Sequence, residues 1–178
     1  MNTGQTMLTI AALALLSVIT LRYYSSIAQS GRNLATSKSG LTATTIATSL
    51  MERAQSLGYD ELTTGSSNPT TFRSAAYFTD PVQLGIPKIN KLDEANDFDD
   101  FNAFVDTIQQ GSMNEKFIAN FDVYYVNPSD LQTKVYVRTF VKRMDVKVWR
   151  IYPPLVSGEG TLFDTGRAST IMGYFKYN

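Results

Sequence analysis

The chain opens with an uncharged apolar run, Met7 to Leu21, which continues without a break into sequence compatible with the same helix. Beyond it the apolar positions keep helical spacings, first seven and then three or four residues apart: Ile27, Leu34, Leu41, Ile46, Leu50, Ala54 and Leu57. Such spacings keep apolar side chains on one side of a helix. Because no proline precedes Pro69, the sequence predicts one helix over residues 5–58, ending where Gly58 can adopt a left-handed cap.

The predicted helix divides into a hydrophobic part, residues 5–24, and an amphipathic continuation, residues 25–58. At about 1.5 Å per residue it would be roughly 80 Å long, which exceeds what a compact domain of this size can cover. The first part must therefore be buried in something other than its own domain.

Residues 59–116 are predicted to be an irregular, variable connection. Turn-forming residues cluster from Gly65 to Pro69, and Pro81 and Pro87 follow with only short apolar groups between them. A connection this long is unusual in a compact domain, so we expect it to cover the sheet that follows.

Residues 117–178 are predicted to form an antiparallel sheet. Apolar and polar positions alternate there in three stretches with a turn at 127–130, and 168–177 supplies a last strand. The alternating core-side positions are Phe121, Val123, Tyr125, Val135, Val137, Thr139, Met144, Val146 and Val148. Such a sheet has one apolar face and one face toward water.

The predicted fold class is therefore α+β, a long N-terminal helix whose C-terminal half packs on a small antiparallel sheet to form a head domain. The predicted head-domain core comprises Leu41, Ile46, Leu50, Ala54, Leu57, Phe121, Val123, Val146 and Val148.

The N-terminal segment MNTG, then QTMLTIAALALLSVITL and the amphipathic continuation, resembles a type IV pilin or type II secretion pseudopilin, and the predicted fold is pilin-like in that sense. In that family a short leader ending in Gly is removed by a prepilin peptidase. The resemblance implies a leader at residues 1–4 and cleavage between Gly4 and Gln5. Two positions depart from the family pattern: Thr3 replaces a basic residue, and Thr9 replaces the usual Glu at the fifth mature position. The missing Glu is a departure that some minor, tip-located members of the family share.

The resemblance further implies a structural subunit of a pilus-like or pseudopilus filament. Its helix is anchored in the inner membrane before assembly and then packs against copies of itself or other pilin-like subunits in an extracellular or periplasmic filament. The assembly-helix residues are Met7, Leu8, Ile10, Leu13, Leu15, Leu16, Val18, Ile19 and Leu21. The basic residues Arg22, Arg32 and Lys38 follow the apolar run, and the positive-inside tendency alone would favour the opposite topology.

The amino-acid composition argues against several classes of function. The 16 basic and 16 acidic residues cancel, which argues against a nucleic-acid partner held by phosphate contacts. The chain has no cysteine and no histidine, so disulfides, usual zinc sites and Ser-His triads are excluded. We accordingly predict no catalytic residues, no enzymatic activity and no cofactor, calcium excepted.

The acidic stretch around Asp97, Asp99 and Asp100 is the one candidate metal site, because calcium prefers several oxygen ligands. Its spacing is not that of an EF-hand loop, and a solvated acidic loop whose side chains cap turns is the alternative interpretation. Tyr124, Tyr136 and Trp149 are candidates for an outer sheet face, either as cross-strand pairs or as a contact surface.

A second function remains open on sequence grounds. Residues 1 to about 28 would then be only a targeting signal, with cleavage after Ala28, on a secreted or membrane-anchored binding or enzymatic domain. Residues 22–58 distinguish the two, because a simple anchor needs no apolar stripe beyond the membrane whereas a filament helix does.

Overall fold

The computed structural model is α+β, with one long N-terminal helix and a small antiparallel sheet. It describes residues 3–64, 74–86, 88–110, 115–154, 156–157, 160–161 and 165–174. The helices are α1 (Thr3–Gln55) and α2 (Glu61–Thr64), and three 3-10 turns follow at Ala75–Tyr77, Leu92–Glu94 and Asp99–Phe101. The strands are β1 (Val105–Gln110), β2 (Glu115–Asn127), β3 (Asp130–Lys134), β4 (Val141–Tyr152), β5 (Val156–Ser157), β6 (Gly160–Thr161) and β7 (Thr165–Gly173).

The chain divides into two compact units, residues 1–38 and residues 39–178, and α1 contributes to both. The described part of the first unit is entirely helical. The second unit, which we call the head domain, contains the end of α1 and all the described strands.

The main sheet of the head domain has the strand order β1-β2-β4-β7, and β3 pairs with the far end of β2. All pairs are antiparallel, and β5 and β6 form a separate two-stranded ribbon. The long β2–β4 pair brings Phe121 opposite Val146 and Val123 opposite Met144. This register places consecutive core-facing residues of the two central strands side by side.

The core lies between this sheet and the part of α1 from Ala43 to Ala54. The helix contributes Ala43, Ile46, Ala47, Leu50 and Ala54, which are spaced three or four residues apart. The sheet and the residues in and around the 3-10 turn before β1 contribute Phe98, Phe101, Phe104, Phe117, Ala119, Phe121, Val123, Met144, Val146 and Val148. The sequence predicted Ile46, Leu50, Ala54, Phe121, Val123, Val146 and Val148 in this core, and all seven are buried.

Gly166 marks the closest approach of β7 to the helix. A Cβ atom at this position would collide with the backbone carbonyl carbon of Ala43 and the backbone nitrogen of Thr44. Backbone atoms cannot rotate away as a side chain can, so only glycine lets the strand lie directly on the helix.

The predicted end of the helix differs from the observed one. Helix α1 ends at Gln55, and Gly58 is not left-handed: among the described glycines only Gly85 has a positive φ. Gly58 instead forms a parallel bridge with Asp97, and its carbonyl accepts the Phe98 N–H at 2.9 Å. Glycine at this position permits close packing, because a Cβ atom on residue 58 would collide with the Thr64 methyl group.

The prediction that Leu41 belongs to the core is wrong, since its side chain is 71% exposed. The step from Leu41 to Ile46 is five residues, which turns the helix by about 140° and leaves Leu41 off the buried stripe. Leu57, beyond the end of α1, is partly buried and packs against the core from its edge.

Two predicted strand boundaries are also wrong. The stretch 59–116 is not irregular throughout, because β1 occupies Val105–Gln110 and β2 begins at Glu115. The alternation of Val135, Val137 and Thr139 does not form a strand: β3 ends at Lys134, and Val137 is exposed. The predicted last strand, 168–177, corresponds to β7, which begins three residues earlier and ends at Gly173. Residues 175–177 of the prediction lie outside the described part of the chain.

Candidate functional site

The apolar segment of α1, residues 7–21, presents its large side chains to the exterior. Helix α1 is long enough and apolar enough to cross a membrane. All nine residues predicted for the assembly helix are exposed, from 55% for Val18 to 75% for Met7: Met7, Leu8, Ile10, Leu13, Leu15, Leu16, Val18, Ile19 and Leu21. A contiguous apolar surface of this kind marks a site of contact with a membrane or another protein.

The polar side chains in this part of the helix are satisfied within it. The hydroxyl of Thr9 donates to the Thr6 carbonyl at 2.9 Å, and those of Ser17 and Thr20 donate to the carbonyls of Leu13 and Leu16 at 2.9 and 2.8 Å. A hydroxyl bonded to its own helix needs no water, so these residues lower the cost of placing the segment in an apolar surrounding. The Thr9 hydroxyl thus has its hydrogen-bond partner within the helix.

The apolar stripe of α1 continues beyond the membrane-length segment. Ile27 and Leu34 are 51% and 72% exposed, and Leu41, seven residues further on, is exposed as well. These side chains repeat every seven residues, the spacing at which one helix packs along another.

A buried ionic cluster lies at the other end of α1, inside the head domain. The Lys142 ammonium on β4 contacts Asp60 Oδ2 at 2.8 Å, Asp99 Oδ1 at 2.6 Å and the Tyr59 carbonyl at 2.9 Å. The side chains of Lys142 and Asp60 have no solvent exposure, and Asp99 has almost none. The rings of Tyr59 and Tyr125 cover the ammonium, with centroids 4.4 and 5.4 Å from Nζ.

Local turns fix the carboxylates of this cluster. Asp60 precedes α2, and its Oδ2 also accepts the Thr79 N–H at 2.9 Å. Asp97 begins the turn that carries Asp99, where its Oδ1 accepts the N–H groups of Asp99 and Asp100 at 2.9 and 3.0 Å. Side-chain acceptance of backbone N–H groups two and three residues on is what Asp contributes to such turns.

The cluster holds more negative than positive charge when all its members are ionised. Burial is the main cause that raises the pKa of Asp97 to about 8, and the neighbouring charges of Asp99 and Asp100 add to it while Lys142 opposes it. Burial also raises the pKa of Asp99, against the opposing effect of Lys142. Asp97 therefore holds a proton at neutral pH.

This proton makes the stability of the head domain depend on pH. Between about pH 4 and pH 8 the folded chain keeps a proton on Asp97 that the unfolded chain releases, so the free energy of unfolding falls as pH rises, by at most about 1.4 kcal/mol per pH unit. We expect Asp97→Asn, which keeps the Oδ1 acceptor, to flatten this slope and to stabilise the head domain at pH 8. Urea unfolding at pH 5 and pH 8 measures both effects.

The matched control for this prediction is Asp93→Asn, because the Asp93 side chain is 86% exposed and lies in the same connection. It should retain the wild-type slope. A slope that Asp97→Asn leaves unchanged would contradict the assignment of the proton to Asp97.

The sequence reasoning did not identify Lys142 or Asp60, although a signal for Lys142 was present. Met144, Val146 and Val148 face the core, and Lys142 continues the same alternation by one step. Arg150 continues it at the other end and pairs with Glu115 at 3.3 Å. A cation in register with an apolar face predicts a buried partner of opposite charge.

The remaining predicted site residues fall as follows. Gly4 and Gln5 lie in the first turn of α1 and are exposed. Asp97, Asp99 and Asp100 are close together, but their carboxylates accept backbone N–H groups or the Lys142 ammonium, and the described residues contain no group of three acidic side chains arranged for a metal. The predicted calcium site thus finds no ligand set in this part of the chain.

The three outer-face aromatics separate in the structure. Tyr124 is nearly buried and donates its hydroxyl to Asp145 Oδ2 at 2.6 Å, Trp149 is half-buried, and Tyr136 lies outside the strands and is exposed. They do not form one platform. Tyr124 packs in a small cluster with Val126 of the same strand and Val141 of the neighbouring strand. It therefore stabilises the sheet by a cross-strand contact.

No protein-family model, curated protein or solved structure matches this chain. Two features of the described residues bear on function: the exposed apolar surface of α1 and the buried ionic cluster of the head domain.

Proposed function

We propose that this protein is a structural subunit of a pilus-like or pseudopilus filament, with a pilin-like fold and no catalytic role. Residues 5–24 hold the subunit in the inner membrane before assembly. The same helix then packs against helices of identical or related pilin-like subunits in an extracellular or periplasmic filament. A prepilin peptidase removes residues 1–4 by cleavage between Gly4 and Gln5.

The observation that carries this proposal is the extent of exposed apolar surface along α1. A membrane anchor accounts for residues 7–21 but leaves Ile27, Leu34 and Leu41 without a reason to be apolar. Burial of large aliphatic side chains is worth about 1.5–3 kcal/mol each, so leaving this stripe in water would forgo several such contributions. Parallel packing of α1 helices from neighbouring subunits would bury both parts of the surface at once.

The apolar segment of α1 is also chemically suited both to a lipid bilayer and to a core of packed helices. Its hydroxyl groups bond to their own backbone, and no charged residue occurs between Thr3 and Leu21. Transfer from a bilayer to a core of packed helices therefore exchanges one apolar contact for another and breaks no ion pair. Cleavage before Gln5 would create an α-amino group that Thr9, unlike Glu, cannot neutralise, and blocking of Gln5 as pyroglutamate would remove that charge.

A charge in the apolar segment tests the proposal. We expect Leu13→Arg to abolish filament formation and to weaken membrane retention, because an arginine at the centre of a spanning helix costs about 2.5–3.5 kcal/mol even by insertion measurements. Membrane fractionation and electron microscopy of sheared cell-surface material measure the two effects. Leu16→Arg should behave in the same way.

The matched control is Gln29→Arg, which adds the same charge to an exposed helical position beyond the apolar segment. It should leave membrane retention intact. Normal filaments from Leu13→Arg would count decisively against the assembly role.

The N-terminal residue of the purified protein separates this proposal from the targeting-signal alternative. Gln5, free or blocked as pyroglutamate, supports prepilin processing. Gln29 would mean that α1 is cut within the helix and that the filament proposal is wrong.

A further inference from the structure

The buried cluster of the head domain brings an amine and a carboxyl group together in surroundings that favour condensation. Lys142 Nζ is 2.6 Å from Asp99 Oδ1, and both side chains are shielded from solvent. Aromatic rings cover the amine, and Phe98 and Phe101 on either side of Asp99 have no exposure. Exclusion of water lowers the cost of forming an amide relative to its hydrolysis, and a fixed contact replaces a bimolecular encounter.

The two carboxylates that touch Lys142 differ in their partners. Asp60 accepts N–H groups from Leu62 and Thr79 in addition to the ammonium. Asp99 has Asp97 as a side-chain hydrogen-bond partner, and burial raises the pKa of both carboxyl groups. Asp99 is therefore the carboxyl that can be protonated, and Asp60, whose Oδ2 lies 2.8 Å from Nζ, is placed to take a proton from the ammonium.

We propose that Lys142 and Asp99 form an intramolecular isopeptide bond, with Asp60 as proton acceptor and Asp97 as proton donor. Asp60 takes one proton from the Lys142 ammonium, and Asp97 gives one to the Asp99 carboxylate. The neutral amine attacks Asp99 Cγ, and the Nζ–Cγ bond forms. The second nitrogen proton passes to the departing oxygen, the Cγ–Oδ bond breaks and one water molecule leaves.

The atoms balance without an oxidant, a reductant or a further reactant. The ammonium and the carboxylate become an amide and water, Asp60 ends one proton richer, and Asp97 ends one proton poorer. Exchange with solvent restores both. This inference concerns the head domain alone and does not depend on the filament proposal.

The bond would join the Asp99–Phe101 turn to β4 across 43 residues of chain. The sequence has no cysteine, so a disulfide cannot provide such a link. An amide, unlike a disulfide, is insensitive to reducing agents.

Peptide mass spectrometry of the full chain, extracted in detergent and digested with trypsin, tests the proposal. Trypsin does not cleave after an acylated lysine, so segment 139–143 should remain intact and be attached to segment 92–116. The combined mass should be one water molecule below the sum of the two peptides, and fragmentation should place the link at Asp99.

Three outcomes would overturn the assignment. Release of segment 139–142 as an unmodified peptide would mean that the contact is an ion pair only. Attachment to segment 54–73 would identify Asp60 as the reacting carboxyl. A link to any other acidic residue within 92–116 would remove Asp99 from the role given to it.

Variants separate the roles of the neighbouring carboxyl groups. Asp97→Asn keeps the backbone hydrogen bonds but cannot donate a proton, and we expect it to slow linking by about 10²-fold or more in freshly synthesised protein. Asp93→Asn, in the same tryptic segment, should link at the wild-type rate. Asp99→Ala should give no linked peptide. Linking of Asp97→Asn at the wild-type rate would refute the role of Asp97.

Discussion

Replacing Lys142 with Met is expected to lower the free energy of unfolding of the head domain by about 3–5 kcal/mol, because it leaves buried carboxylates without their cation. Asp60 has no exposure and Asp99 very little, so water cannot replace the ammonium. Met has a similar length and adds no new charge. Loss of the proposed amide would act in the same direction. Urea unfolding of a soluble fragment that begins at Ser30 measures the effect.

The comparison variant is Lys134→Met. Lys134 is also paired with an aspartate, Asp122, but the contact is 3.5 Å long and both side chains are well exposed. Such a pair contributes at most about 1 kcal/mol. Equal effects of the two substitutions would show that burial does not govern the energy of the Lys142 cluster.

The second large effect is expected from Leu50→Ala, which should destabilise the head domain by about 2–5 kcal/mol. Leu50 is only 7% exposed and packs in the cluster that joins α1 to the sheet. Truncation removes its buried methyl groups and leaves a cavity that the rigid helix and the paired strands cannot close.

Leu41→Ala makes the same chemical change nine residues earlier on the same helix. Because Leu41 is 71% exposed, we expect its effect to stay within about 0.5 kcal/mol. The contrast is measured by thermal unfolding of both variants. A large effect of Leu41→Ala together with a small effect of Leu50→Ala would mean that the buried stripe of α1 is placed on the wrong side.

Periodicity predicted the parts of the head domain in which one face is uniformly apolar. Ile46, Leu50 and Ala54 follow the helical repeat, and Val146 and Val148 follow the strand repeat, so each was identified from its neighbours. The prediction misplaces Leu41 because it joins two stripes, one spaced by seven residues and the other by three or four, across a five-residue step. Local spacing does not reveal such a change of face unless the angle is followed along the whole helix.

The remaining errors have a different physical origin. Asp106 and Ile108 are the half-buried residues of strand β1, and only Ile108, opposite Phe117, is apolar, so the sequence lacks the apolar alternation that marks a strand. The Lys142 cluster joins residues that are 43 and 82 positions apart. Their meeting depends on how the connection before β1 folds back to Gly58, and no single segment contains that information.

The contact between Gly166 and Ala43 has a consequence for biosynthesis. Strand β7 packs directly on the backbone of helix α1 in the folded head domain. The ribosome nevertheless translates β7 long after it has released the apolar segment of α1. Because long-range contacts form only when both partners are present, the head domain cannot complete its folding during most of translation. With the membrane anchor proposed above, the unfinished polypeptide would mature while tethered to a lipid surface.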